Sequence, residues 1–116
     1  MSLFDKLLGR EKAPPPPPEQ AVIVSFQYGS TDLSRLFQLE DRLERAILAA
    51  SAGELDGNEM AVDGSHGSLY MYGPDADVLF RAVRPILEAA DFMRGARVQI
   101  RYGPAGPDTP ASEVTL

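Results

Sequence analysis

DGNEMAVDGSHGSLYMYGPDAD, residues 56–77, carries four aspartates, one glutamate, four glycines and the chain's only histidine, His66. Whether this stretch is a cluster of ligands or a β-hairpin decides the fold. Its residue types favour the hairpin. A weaker run over about 55–63 places Met60 and Val62 on one side, and a second run over 68–72 places Leu69 and Met71 inward. That is the alternation of strands with one buried face. Gly64-Ser65-His66-Gly67 falls between the two runs, where a turn needs flexible or left-handed residues. Asp56-Gly57 reads as an irregular strand entry or bulge. Asp75 and Asp77 read as charges at the positive start of the following helix. A metal site would have to be assembled from His66, Asp63 and Glu59. Zinc needs several convergent His or Cys ligands and calcium loops need D-x-[DN]-x-[DN]-G spacing, and the stretch offers neither. No metal and no cofactor are expected.

Outward from the hairpin the pattern is regular. AVIVSFQY (21–28) is rich in β-branched and aromatic residues, with Val22, Val24, Phe26 and Tyr28 on one face. LSRLFQLEDRLERAILAA (33–50) places Leu36, Leu39, Leu43, Ala46, Ile47 and Ala50 on one helical stripe, with Asp32 as the expected N-cap and Gly53 past the end. A second helix is expected over about 75–90, with Pro74 at a position that a helix start accepts. ARVQIRY (96–102) alternates as a final strand with Val98, Ile100 and Tyr102 inward.

The resulting order is βαββαβ, and it has an internal echo. YGSTDLSRLF (28–37) and YGPDADVLF (72–80) both pass from a Tyr-Gly strand end through an aspartate into a helix with Leu-Phe. Two such halves joined by a hairpin resemble the ferredoxin-like α/β plait over residues 21–103. The resemblance implies an α+β fold: a four-stranded antiparallel sheet, order 4-1-3-2, with two helices on one face. It brings no functional motif and no catalytic residue.

The flanks differ in composition. Residues 1–12 form a short amphipathic segment with Leu3, Phe4, Leu7 and Leu8 at helical spacing. Alone in water such a helix is marginal, so it is expected to dock on the domain itself, a second copy or a partner. Residues 13–20 are a linker built on five consecutive prolines, an extended and semi-rigid spacer. Residues 104–116 hold three prolines and one glycine, and disorder is the expectation for this tail.

A chain of 116 residues with 44% hydrophobic residues is one small domain. The absence of cysteine excludes disulfides, thiolate metal sites and a thiol nucleophile. No run reaches the roughly 20 apolar residues of a membrane span, and no signal peptide is legible. Cytoplasmic location and no integral membrane association are expected. Arginine in place of lysine across 21–103, beside abundant Ala, Gly and Pro, is a bacterial composition. The formal charge of −6 and a pI near 4.6 argue against nucleic acid as a partner.

A plait with helices on one side leaves the other side of its sheet bare. The expected residues there include Gln27, Tyr70, Tyr72, Gln99 and Arg101, an interaction surface for a protein partner or a homodimer, with Tyr and Arg as anchors. No phosphate loop, serine elbow or paired-carboxylate motif stands out, so the reading favours a non-enzymatic interaction or regulatory module. A second reading is a small-anion sensor or cofactor-independent enzyme at the sheet edge, using His66, Asp63, Arg94 and Arg97. A third is an acidic immunity-type inhibitor that covers a basic partner.

Overall fold

The computed structural model describes residues 19–116. The segment 1–12, with Leu3, Phe4, Leu7 and Leu8, and the proline run lie outside the described residues. The described chain is α+β. Its antiparallel sheet is built from β1 (Gln20–Gln27), β2 (Glu54–Met60), β3 (His66–Gly73), β4 (Arg97–Arg101) and β5 (Ala111–Thr115), in the order β2-β3-β1-β4-β5. Its helices are α1 (Ser34–Ala49) and α2 (Ala76–Glu88), with a 3₁₀ turn over Asp91–Met93.

Two expectations are corrected together. The sheet has five strands rather than four, and the fifth comes from the tail expected to be disordered. Ala111–Thr115 pairs residue for residue with Arg101–Arg97. Beyond the strand, Leu116 N donates to Ala96 O at 2.9 Å and Gly95 N donates to Leu116 O at 3.0 Å. The prolines and glycines are confined to residues 103–110, which form the connection, while ASEVTL behind them alternates like any edge strand.

One face of the sheet makes the core. Val22, Val24 and Phe26 of β1, Leu69 and Met71 of β3, and Val98 and Ile100 of β4 are buried against Leu36, Leu39, Leu43 and Ile47 of α1 and Leu79, Val83 and Leu87 of α2. Both helices therefore cover that face. α2 begins where Asp75 Oδ1 accepts hydrogen bonds from Asp77 N at 3.1 Å and Val78 N at 3.2 Å, which satisfies two otherwise unpaired amides. Asp32, expected to cap α1, stands one residue too early: Leu33 holds the cap position and Asp32 Oδ1 accepts instead from Ser34 N at 3.0 Å and Ser34 Oγ at 2.7 Å.

The hairpin is present, but β2 ends earlier and β3 begins earlier than the pattern suggests. A bulge between Leu55 and Gly57 adds one residue to β2 and resets its alternation, so that Met60 meets the core but β2 ends there. Val62, expected inward, lies in the turn and is fully exposed. The turn spans residues 61–65, with Gly64 N donating to Ala61 O at 2.9 Å. The tip is stitched to the loop after β1: Gly29 N and Ser30 N donate to Gly64 O at 2.8 and 3.2 Å, and Tyr28 N to Ser65 O at 2.9 Å. His66 consequently belongs to β3, paired with Gln27, and not to the turn where its neighbours placed it.

Candidate functional site

Among the described residues no helix covers the other face of the sheet, and this helix-free face is read directly from the register. β1 contributes Ala21, Ile23, Ser25 and Gln27; β3 contributes Tyr72, Tyr70, Ser68 and His66 opposite them; β4 contributes Arg101, Gln99 and Arg97 on the other flank. Glu54 and Glu59 extend the face on β2, and Glu113 on β5. Alternation fixes these residues on one side because their neighbours fill the core.

At one end of this face lies a hollow of about 600 Å³ that brings together Gln27, His66, Arg94, Arg97 and Gln99. Arg94 and Arg97 each stand 3.8 Å from a carboxylate, Asp91 and Glu113 respectively. Both pairs are largely exposed and too long for a hydrogen bond, so water screens them, and neither carboxylate takes up a guanidinium donor. Asp63, read with these residues in sequence, does not line the hollow. It sits in the turn, where its carboxylate accepts from Ser65 N at 2.9 Å. Hydrogen bonding to the Ser65 side chain and backbone holds the Asp63 carboxyl below its ordinary pKa. Asp32 is likewise held low, by the Ser34 backbone and hydroxyl.

Tyr70 and Tyr72 line a second, smaller hollow of about 350 Å³ with Asp56 and Glu59. Tyr70 Oη donates to Glu59 Oε1 at 3.0 Å. That bond stabilises the protonated phenol and, with partial burial and the nearby carboxylate charge, raises its pKa above the ordinary tyrosine value. The stabilisation is present below the unfolded pKa of about 10 and is lost as pH rises through the higher folded value. Glu59→Ala is therefore expected to move the Tyr70 titration, followed by its ¹³Cζ shift, down toward pH 10. An unchanged midpoint would show that Glu59 does not hold the phenol. Arg101, at the same end as Tyr72, donates from Nε to Gly103 O at 2.9 Å and is half-buried.

Two face residues, Glu113 and Ser68, were not legible as such. Glu113 was hidden in a tail read as disordered, although alternation in ASEVTL is its signal. Ser68 is too plain to single out without the register; its Oγ lies 3.5 Å from that of Ser25, which the alternation of β1 already placed on this face. Among the described residues no three His, Asp or Glu side chains group to hold a metal ion, and no helix is long and apolar enough to cross a membrane. The chain matches no protein-family model, no curated protein and no solved structure.

Proposed function

We propose that the protein is a non-enzymatic interaction module that binds a protein partner through the helix-free face of its sheet, and we read the architecture as a ferredoxin-like plait extended by one edge strand. One observation carries this: a sheet face that no helix among the described residues covers presents Tyr70, Tyr72, Arg97 and Arg101 in register around the apolar Ile23. Tyrosine and arginine offer large contact area with directed hydrogen bonds and are the residues that anchor protein interfaces. The acidic chain disfavours a polyanionic nucleic acid on the same face.

The test compares two variants as immobilised bait. Tyr70→Ser/Tyr72→Ser alters the sheet face. Phe37→Ser/Leu48→Ser alters the two exposed apolar side chains of α1, which are 52% and 69% exposed. Bound proteins, further copies of the chain included, are quantified by mass spectrometry against the wild type. Binding is expected to fall at least tenfold for the sheet-face variant and to survive in the α1 variant. The opposite result would assign recognition to the helix side.

A second reading, a small-anion sensor, is supported by the convergence of His66, Arg94 and Arg97 on one hollow. Titration with inorganic phosphate separates the two. Saturable shifts of the Arg94 and Arg97 Nε–H resonances below about 1 mM, lost in His66→Ala, would favour the sensor; no saturable shift favours the interaction module. His66→Ala itself is expected to leave stability within about ±0.5 kcal/mol, as an exposed side chain in few contacts.

A further inference from the structure

The charges on the helix-free face are largely sorted by strand, with Glu113 of β5 as an acid on the arginine flank, 3.8 Å from Arg97. Glu54 and Glu59 lie on β2 beside Tyr72 and Ser68 of β3, whereas Arg97 and Arg101 lie on β4, on the other side of β1. The centre line is β1, with Ala21 fully buried between its neighbours and Ile23 half-buried. We infer that the partner of this face is a second copy of the chain, related by a two-fold axis parallel to β1; this rests on the reading of the face as the interaction surface.

The register makes the argument. Ala21 pairs with both Tyr72 and Arg101, and Ser25 with both Ser68 and Arg97, so β3 and β4 are equidistant from β1 and level along it. A two-fold axis along β1, between two stacked sheets, exchanges the flanks and keeps the level. It places Arg101 of the second copy over Tyr72, next to Glu54. It places Arg97 of the second copy over Ser68, next to Glu59. Two-fold symmetry repeats both contacts, and the Ile23 side chains meet on the axis. Arginine over a tyrosine ring and beside a carboxylate is a favourable pairing on both counts. An axis across the strands would instead stack β4 on β4 and β2 on β2, arginine against arginine and glutamate against glutamate. The charge pattern thus selects one symmetric arrangement and rejects the other.

The dimensions fit. Five strands at about 4.8 Å make a face roughly 24 Å wide, and eight residues of β1 at about 3.3 Å make it about 26 Å long. With side-chain relief this approaches the roughly 800 Å² per partner of a standard interface.

The experiment is sedimentation velocity on the full chain with charge-reversed variants. The wild type at about 100 µM is expected to sediment at twice its 12.6 kDa mass, and to dissociate as salt is raised. Glu54→Arg/Glu59→Arg makes both flanks predominantly basic, with Glu113 retained on β5, and Arg97→Glu/Arg101→Glu makes both acidic. Each alone is expected to dimerise at least tenfold more weakly. Mixed, the two are expected to form a 1:1 heterodimer, because each flank again meets its opposite. Circular dichroism checks folding. If the Arg101 variant fails to fold, the exposed single reversals Glu59→Arg and Arg97→Glu replace the pairs and carry the same expectation. A monomeric wild type, reversed variants that dimerise normally, or a dimer lost only in Phe37→Ser/Leu48→Ser would each overturn the inference. If the wild type is monomeric while Tyr70→Ser/Tyr72→Ser still abolishes capture of another protein, the inference fails and the reading of the face stands. Loss of neither fails both.

Discussion

Gly64→Ala is expected to destabilise the protein by about 3 kcal/mol, while Gly95→Ala costs only about 1 kcal/mol. Both glycines have left-handed backbone, φ +73° and +83°, which costs a residue with a Cβ about 1–2 kcal/mol. They differ in what a Cβ would meet. At Gly95 nothing lies within 4 Å, whereas at Gly64 the new carbon would overlap the Ser30 carbonyl and stand 3.0 Å from Thr31 N. Relieving that overlap means separating backbone from backbone, an overpacking cost of about 1–3 kcal/mol. It also strains the bonds from Gly29 N and Ser30 N to Gly64 O that tie the hairpin tip to the loop after β1. The tie matters to the site because it holds β3 in register through Gln27 and His66. Urea unfolding at equal m-values measures the difference, and the corresponding fall in Tm is at least about 12 °C. Equal losses in the two variants would mean that the tip does not rest on Ser30.

Deletion of residues 111–116 is expected to cost about 2 kcal/mol and to open β4. Val114 and Leu116 are partly buried against the core, and half the roughly 1.5–3 kcal/mol for full burial of each side chain accounts for that figure. The ladder hydrogen bonds, at about 0.5–1.5 kcal/mol net each, are largely offset by the entropy of ordering the segment. Tyr102 N donates to Pro110 O at 3.0 Å, so the alternation of an antiparallel ladder points the amides of Val98 and Ile100 toward β5 as well. Hydrogen exchange at these two amides is the sharper readout. They should be protected in the full chain and exchange at least tenfold faster after the deletion. A neutral deletion with unchanged exchange would return the tail to the disordered state its prolines suggest.

The tail shows how local composition misleads. Three prolines and a glycine between 104 and 110 carry a disorder signal strong enough to mask the six residues behind them. Those six have too few apolar groups to form anything alone. They become a strand because β4 offers an unpaired edge, an event that no window of sequence contains. His66 shows a similar limit. Its bracketing glycines mark a turn, yet period-two alternation extended backward from Leu69 places it on β3. Which signal prevails depends on where β1 supplies a partner, and that partner is Gln27, thirty-nine positions earlier in the chain.

Elements whose signal is periodic burial can be read along the chain alone. Leu36, Leu39, Leu43 and Ile47 repeat at helical spacing, and Val22, Val24 and Phe26, like Leu69 and Met71, alternate as strands do, because a helix or strand with one buried side repeats its apolar residues at its own period. The Asp75 cap was legible for the same local reason: its carboxylate serves amides two and three residues away. The polar face was legible only as a set of alternates without order. Which of its residues are neighbours was decided by strand register and by a bulge at Asp56-Gly57, both set by contacts between distant segments. Only tertiary structure placed His66, Arg94 and Arg97 around one hollow and left Asp63 outside it. It also put Glu54 and Glu59 on one side of β1 and Arg97 and Arg101 on the other. Hydrophobic burial writes its period along the chain; the meeting of polar groups depends on which strand lies beside which, and no local period records that.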